Sequence, residues 1–290
     1  MHRFALAGVA LLLVACEAAG AAKAPQPSFA IPYAIEHGPG STLFLTDARN
    51  GAPSRILRYD LARKRTTVYA RGFAEPAALA RHRDGSLYVG DVRQGVIRVD
   101  SRGRRTVVAR IPGAAALALD GDTLYVSSLE STIERIDLRT RAVTRVAGDG
   151  RPESSGDGGP ASAATVESPH GLALSAGSLY LEAGPSVRRI DRTTGIISTF
   201  AQVDAGRMAF GPDGTMYFSQ GDPRFGGAIK GRAPDGAITT YVSGPNLLPT
   251  DVLLTRDGRG LLFGQTRPFP AIRRIDLATR RITLVLRGRG

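Results

Sequence analysis

A short apolar triplet recurs six times along the chain, and each copy predicts the centre of a buried strand. Five of the triplets are followed by an Arg-x-Asp motif and then by a β-branched strand, and another apolar strand precedes the triplet. Each repeat therefore holds four short strands, and none shows a helical period. The triplets begin at Leu43, Leu87, Leu124, Leu179, Met216 and Leu261.

Turn residues separate the first and second predicted strands of several repeats, as in Asp84-Gly85 and Asp213-Gly214. An Asp-Gly pair supplies the positive φ that a tight hairpin requires. Six four-stranded antiparallel units predict an all-β fold, a closed six-bladed β-propeller. A parallel β-helix is the structural alternative, but it would need shorter and more uniform coils. The repeat pattern does not show how the ring closes.

The first 15 residues predict an export signal, because Arg3 precedes an uninterrupted apolar and small-residue run from Phe4 to Ala15. The run ends in Leu13-Val14-Ala15-Cys16, which resembles the bacterial lipobox. That resemblance implies a signal peptide at 1–15 and a lipid attached to Cys16. The alternative is a soluble secretory signal with an incidental cysteine.

Residues 16–30 contain few large apolar groups, so we expect the lipidated cysteine and a tether there and the propeller over 31–290. Glu17 follows the cysteine, and by resemblance to enterobacterial sorting this favours the outer over the inner membrane. The expected location is therefore the bacterial cell envelope, lipid-anchored and facing the periplasm.

One segment resembles the NHL-repeat β-propeller family. It contains Gly156-Asp157-Gly158-Gly159-Pro160-Ala161 and then Ser168-Pro169-His170-Gly171, and the family joins such an insert to the strand that opens the next blade. The resemblance implies a six-bladed binding scaffold with a long insert at 148–168 between blades three and four. It implies no particular ligand. Asp157 is expected either to tie the connector together or to form part of an anion-binding nest.

Alternating strand direction sorts the connections onto two faces of the ring. We number the strands of each blade one to four. The face with the turns between strands one and two and between strands three and four is called the turn face. The formal net charge is +12, and much of the excess is expected on the turn face. A basic face attracts anionic partners such as anionic lipid. Nucleic acid is disfavoured by the export signal, and a solvated surface of biased composition is the alternative. The predicted basic residues of the turn face are Arg63, Lys64, Arg65, Arg102, Arg104, Arg105, Arg139, Arg141, Arg192, Arg280 and Arg281.

The opposite face, which we call the long-loop face, carries the two–three and blade-to-blade connections. Its predicted loops cover 47–55, 91–96, 127–132, 183–187, 219–228 and 264–271. Binding residues concentrate on such loops, so an envelope protein or a glycan is the expected partner there. Each candidate is alternatively a turn or rim residue. The candidate ligand-binding residues are Asp47, Asp91, His170, Arg207, Asp222, Arg224, Asp251 and Gln265.

The sequence contains no complete catalytic set. The histidines have no metal-ligand spacing, no Gly-x-Ser-x-Gly motif occurs, and Cys16 is expected to be acylated. No catalytic residue, metal or cofactor is therefore predicted, and the expected function is a non-enzymatic, envelope-anchored binding scaffold. The alternative function is a metal-dependent lactone hydrolase. It is implied by a resemblance to gluconolactonase-like propellers, and Ca or Zn would be held by Glu36, His170 and Asp251. His170 stands where that family often has Asn, and blade five presents Arg207 instead of an acid.

Overall fold

The computed structural model describes residues 29–49, 52–222 and 224–288. The predicted signal peptide and Cys16 lie outside these residues. Within them, no helix has the length and apolar character that crossing a bilayer requires.

In the described residues, twenty-four strands form six sheets of four strands each, and every sheet is built from consecutive antiparallel strands. Blade one contains β1 (Ile35–His37), β2 (Thr42–Asp47), β3 (Ser54–Asp60) and β4 (Arg65–Phe73), and blade two contains β5 (Pro76–Arg81), β6 (Leu87–Asp91), β7 (Gly95–Val99) and β8 (Arg105–Ala109). Blade three contains β9 (Ala114–Asp120), β10 (Thr123–Ser128), β11 (Thr132–Asp137) and β12 (Val143–Ala147), and blade four contains β13 (Leu172–Ser175), β14 (Ser178–Ala183), β15 (Ser186–Asp191) and β16 (Ile197–Ala201). Blade five contains β17 (Met208–Phe210), β18 (Met216–Asp222), β19 (Gly226–Arg232) and β20 (Ile238–Gly244), and blade six contains β21 (Pro249–Leu254), β22 (Gly260–Gln265), β23 (Ala271–Asp276) and β24 (Ile282–Arg287).

This architecture confirms the six-bladed all-β propeller. The two–three connections are shorter than predicted, because the second and third strands continue into the expected loops. In blade five, β18 extends to Asp222 and β19 starts at Gly226, so most of the predicted loop 219–228 is a paired hairpin.

The hydrophobic core is divided into six clusters, one between each pair of neighbouring blades. The triplet strands supply much of it: Leu45, Val89 and Leu181, for example, are fully buried. Blade one meets blade two around Phe44 and Leu79, and blade six meets blade one around Leu262 and Ile35. Burying apolar side chains between every pair of blades makes closure of the ring favourable.

Blades six and one close the ring by packing and hydrogen bonds, since each blade is a contiguous stretch of chain. The Ile35 amide donates to Asp251 Oδ2 at 2.7 Å, and His37 Nε2 lies 2.9 Å from the Leu254 carbonyl oxygen. The Tyr59 hydroxyl donates to the Val285 carbonyl oxygen at 3.2 Å. The repeat pattern alone could not show this closure, because these contacts join residues more than 200 positions apart.

The N-terminal boundary of the ring lies before residue 31. Phe29 is 2% exposed and belongs to the cluster between blades six and one, and the Ala30 amide donates to Asp47 Oδ1 at 2.7 Å. The prediction that residues 29 and 30 belong to the tether is therefore wrong, because Phe29 packs between blades six and one. Asp47 ends β2, so the chain enters the ring at the rim of the long-loop face.

The insert 148–168 covers the outer edge of blade four. The Ile197 amide donates to the Gly159 carbonyl oxygen at 3.0 Å, and the Gly158 amide donates back to the Ile197 carbonyl oxygen at 2.8 Å. A short 3-10 helix, Ala161–Ala163, helps to place Ala161 in the core between blades three and four. The insert thus shields an edge strand that would otherwise be open to pairing with another chain.

Candidate functional site

A cavity of about 840 Å³ opens at the centre of the long-loop face, where the innermost strands of the six blades begin. Blades two to six contribute to its wall or rim, and the segment that leads into β1 contributes Ile31 and Tyr33. Its wall and rim include Tyr33, Glu75, Val92, Leu129, His170, Glu182, Asp204, Arg207, Ser219, Leu248 and Arg267.

The strand register explains which side chains reach this cavity. The residue directly after each apolar triplet is Thr46, Gly90, Ser127, Glu182, Ser219 or Gly264. In three blades a hydroxyl at this position accepts a hydrogen bond from an inner-strand amide: Thr46 from Ala34, Ser127 from Ala116, and Ser219 from Arg207. Glu182 therefore carries a charge at a position where the other five blades have Thr, Ser or Gly. Arg207 lies opposite that position in blade five, where blade six has Asp251 and the other blades have small residues.

Arg207 extends from blade five across the mouth of the channel. Its Nη2 donates to the Ala77 carbonyl oxygen of blade two at 2.8 Å and to the Ala115 carbonyl oxygen of blade three at 2.7 Å. Burial lowers the pKa of Arg207, and the Asp251 and Glu182 carboxylates oppose that shift. The guanidinium thus forms the polar floor of the cavity.

Glu182 and His170 form the blade-four side of the cavity. The His170 amide donates to Glu182 Oε2 at 2.5 Å, and His170 Nδ1 lies 3.5 Å from the same oxygen. The Glu182 side chain is 12% exposed and the His170 side chain is 60% exposed, so the carboxylate is held while the imidazole faces solvent. Sequence reasoning missed Glu182, although its position after the triplet, where other blades carry Thr, Ser or Gly, marks it.

Two carboxyl groups lie on innermost strands: Asp251 is close enough to interact with the charge of Arg207, and Glu36 interacts with Asp251. Burial raises the pKa of Asp251 to about 6, against the opposing charge of Arg207. Burial also raises the pKa of Glu36 to about 7, and the nearby Asp251 carboxylate acts in the same direction. A low-dielectric channel disfavours the charged form of both acids.

Glu36, His170 and Asp251 do not form the metal site of the lactonase alternative. Both Asp251 oxygens accept backbone amide hydrogens, from Ile35 at 2.7 Å and from Val252 at 2.9 Å, and Glu36 Oε1 accepts from the His37 amide at 2.6 Å. His170 faces Glu182 instead. Across the residues that the structure describes, no group of three or more His, Cys, Asp or Glu side chains is arranged to hold a metal ion. These three side chains therefore do not fit a divalent ion.

Asp47, Asp91 and Gln265 occupy one equivalent position, the last residue of the second strand, and all three are buried. Asp91 Oδ2 accepts from the Ala74 amide at 2.9 Å, and Asp47 Oδ2 accepts from Arg55 Nε at 2.6 Å. Gln265 donates to the Phe269 carbonyl oxygen at 3.2 Å. The structure places these three candidates outside the cavity, where they tie loops to the blades.

Asp222 and Arg224 lie at the tip of the β18–β19 hairpin, on the long-loop face but away from the central cavity. Arg224 Nη2 is 3.1 Å from Asp222 Oδ2, and the Arg224 guanidinium carbon lies 5.3 Å from the centre of the Phe225 ring. Phe225 is 76% exposed. Of the eight candidates, the structure therefore brings only His170, Arg207 and Asp251 together.

The turn face carries the predicted basic residues other than the Arg105 side chain, and acidic side chains of the one–two and three–four turns are interspersed with them. Arg63 pairs with Asp60 at 3.0 Å, and Arg139 pairs with Asp122 at 3.0 Å. Arg104 and Arg192 pair with Asp100 and Asp120. Acids of the one–two turns therefore offset part of the basic charge expected on the turn face, because strand order brings both sets of turns to that face.

Arg105 departs from the other predicted turn-face residues. Its guanidinium carbon lies 4.5 Å from the centre of the Phe73 ring, and its Nη2 donates to Gln94 Oε1 at 2.6 Å. Gln94 belongs to the β6–β7 connection on the long-loop face, so the Arg105 side chain runs along the blade instead of joining the turn-face cluster. In the described part of the chain, Lys64, Arg65 and Arg102 form no ion pair.

A closed six-bladed propeller with a polar cavity at one mouth of its channel defines the structural class of this protein. Solved structures share the architecture at low sequence identity. A chain of a nidogen–laminin complex superposes with a TM-score of 0.64 and 17% identity, over 83% of this chain and 92% of that one. An auxiliary nutrient binding protein from Bacteroides ovatus gives a TM-score of 0.60 and 13% identity, over 88% of this chain and 69% of that one.

The sequence comparison identifies the family. The family model for the Teneurin NHL domain matches residues 66–215, just over half of the chain. Human Teneurin-1 is 33% identical over 145 residues, which cover 43% of this chain and 5% of Teneurin-1. The chain therefore spans only a small part of that relative's length. This protein belongs to the NHL-repeat propeller family, as the insert and the following Pro-His-Gly strand predicted.

Proposed function

We propose that the protein is a binding scaffold anchored in the bacterial envelope, and that it binds its partner at the mouth of the channel on the long-loop face. The observation that carries this proposal is the guanidinium of Arg207, which stands across the floor of a cavity of about 840 Å³. A rigid concave site with a few convergent polar groups is typical of ligand binding.

The scaffold role is supported by the ordered ring and by the proteins that share it. One structural neighbour was solved in a nidogen–laminin complex, and another is described as a nutrient binding protein. Rigid blades that position variable loops suit binding.

The anchoring part of the proposal depends on the lipid expected on Cys16. The ring begins with Phe29 at the rim of the long-loop face, 13 positions after Cys16. Thirteen residues reach at most about 45 Å when fully extended. A lipid on Cys16 would therefore keep the rim of the long-loop face within that distance of the membrane, where envelope proteins and glycans are the available partners.

The test is site-specific photo-crosslinking in bacterial cells. A photoreactive residue replaces Leu129 on the cavity rim, and the matched control replaces Leu61, an exposed residue of the turn face. We expect a discrete adduct at position 129 that disappears when Arg207→Met is added, and no such adduct at position 61. Adducts at position 61 with none at 129 would place the partner on the wrong face and overturn the proposal.

A further inference from the structure

We infer that the channel-mouth cavity binds an uncharged, hydroxyl-rich ligand, of the chemical class of short neutral oligosaccharides; this inference rests on the proposed function. It follows from three features of the cavity: the donors that Arg207 has left, the acids around it, and the apolar part of the wall.

Arg207 cannot bind a carboxylate in the bidentate manner, through two parallel hydrogen bonds. A guanidinium binds a carboxylate through two bonds either with Nη1 and Nη2 or with Nε and Nη2, so both arrangements need Nη2. In Arg207, Nη2 already donates to the Ala77 and Ala115 carbonyl oxygens. No acceptor among the described residues takes a hydrogen bond from Nε or Nη1 of Arg207. Single donors of this kind suit a hydroxyl or carbonyl oxygen better than a carboxylate.

The surrounding charges disfavour an anion. The wall carries two basic residues, Arg207 and Arg267, and three acidic ones, Glu75, Glu182 and Asp204. An anionic ligand would gain little net Coulomb attraction there. A hydroxyl is both donor and acceptor, so it can accept from Arg207 and donate to a carboxylate such as Glu182, and both bonds are charge-assisted.

Part of the remaining wall is apolar and suits the carbon faces of sugar rings. Val92, Leu129 and Leu248 line it, and Tyr33 adds an aromatic ring with a hydroxyl. A simple hydrated ion would leave these groups unused. The volume of about 840 Å³ lies within the range of roughly 300–1,000 Å³ for ligand pockets and leaves room for more than one sugar ring.

The experiment measures direct binding to the full-length protein, purified in a detergent without a sugar headgroup. The probes are maltotriose, cellotriose and tri-N-acetylchitotriose, with trigalacturonate and a neutral tripeptide for comparison, and the readouts are saturation-transfer NMR and calorimetry. We expect at least one neutral trisaccharide to bind, and Glu182→Gln and Arg207→Met to weaken that binding by about tenfold or more, the loss of roughly 1.4 kcal/mol.

Glu182→Gln keeps an acceptor for the His170 amide, so it tests ligand contact without removing the bond that holds the loop. Asp222→Asn, on the same face but outside the cavity, is the matched control and should bind as the parent does. If trigalacturonate or the tripeptide binds in the cavity and the neutral sugars do not, the ligand class is wrong while the proposed function stands. If no neutral sugar binds at all, the inference is overturned. The crosslinking experiment at position 129 tests the proposed function independently of this result.

Discussion

Arg188 offers a direct test of how the insert is held. Its side chain is 2% exposed, although it carries a full charge. Nε and Nη2 donate to Asp157 Oδ1 at 3.0 and 2.6 Å. Nη1 donates to the Thr165 carbonyl oxygen at 2.7 Å and Nη2 to the Ser155 carbonyl oxygen at 3.0 Å. Asp157 thus serves as a connector residue, the first of its two predicted roles, and it also accepts from the Thr199 amide at 2.8 Å.

Arg188→Met should destabilise the propeller by about 3 kcal/mol. The buried Thr165 carbonyl oxygen would lose a donor, which costs about 1–3 kcal/mol. The ion pair adds less than a fully buried one would, about 1 kcal/mol, because Asp157 is 45% exposed and water screens its charge. For a domain of this size the sum corresponds to a fall in Tm of roughly 6–12 °C.

The assays are thermal unfolding and amide hydrogen exchange. In Arg188→Met, the Ile197 and Thr199 amides should exchange faster, because both bond to the insert. The control is Arg189→Met on the same strand, whose side chain is 41% exposed and bonds Ser178 and Asp191, so it should cost less than about 1 kcal/mol. Equal Tm values for the two variants, with the insert amides still protected, would refute this account of Arg188.

Three further predictions concern the channel, the turn face and the anchor. Because the pKa of Glu36 is about 7 in the folded protein and 4.5 is the ordinary value, the parent protein should lose stability as pH rises from about 4.5 through 7. Glu36→Gln should flatten that loss and gain up to about 3 kcal/mol at pH 8, and an unchanged slope in denaturant titrations would argue against the shift. Lys64→Glu, Arg65→Glu and Arg102→Glu together should weaken cosedimentation with anionic vesicles, since each basic residue near an anionic surface contributes about 1 kcal/mol; equal binding would leave the turn face without that role. Mass spectrometry should find a lipid on Cys16 and none in Cys16→Ser, and an unmodified Cys16 in the parent would rule out the anchor.

The sequence by itself determined the ring of six four-stranded blades, the positions of the core strands and the insert. The triplets that begin at Leu43 and Leu179, for example, are buried where the repeat predicts. This part of the fold could be predicted because strand periodicity and turn residues act over a few neighbouring residues, and six copies repeat the same signal.

Only the tertiary structure decided which polar residues form the site. Asp91 ends β6 and Arg207 directly precedes β17, both at the long-loop face, yet Asp91 is fully buried and accepts from the Ala74 amide, whereas Arg207 crosses the channel to blades two and three. Glu182, Arg207 and Asp251 come from three blades and approach one another only when the ring closes. Closure depends on contacts such as that between Ile35 and Asp251, 216 positions apart, and no local pattern in the chain encodes which side chains such contacts bring together.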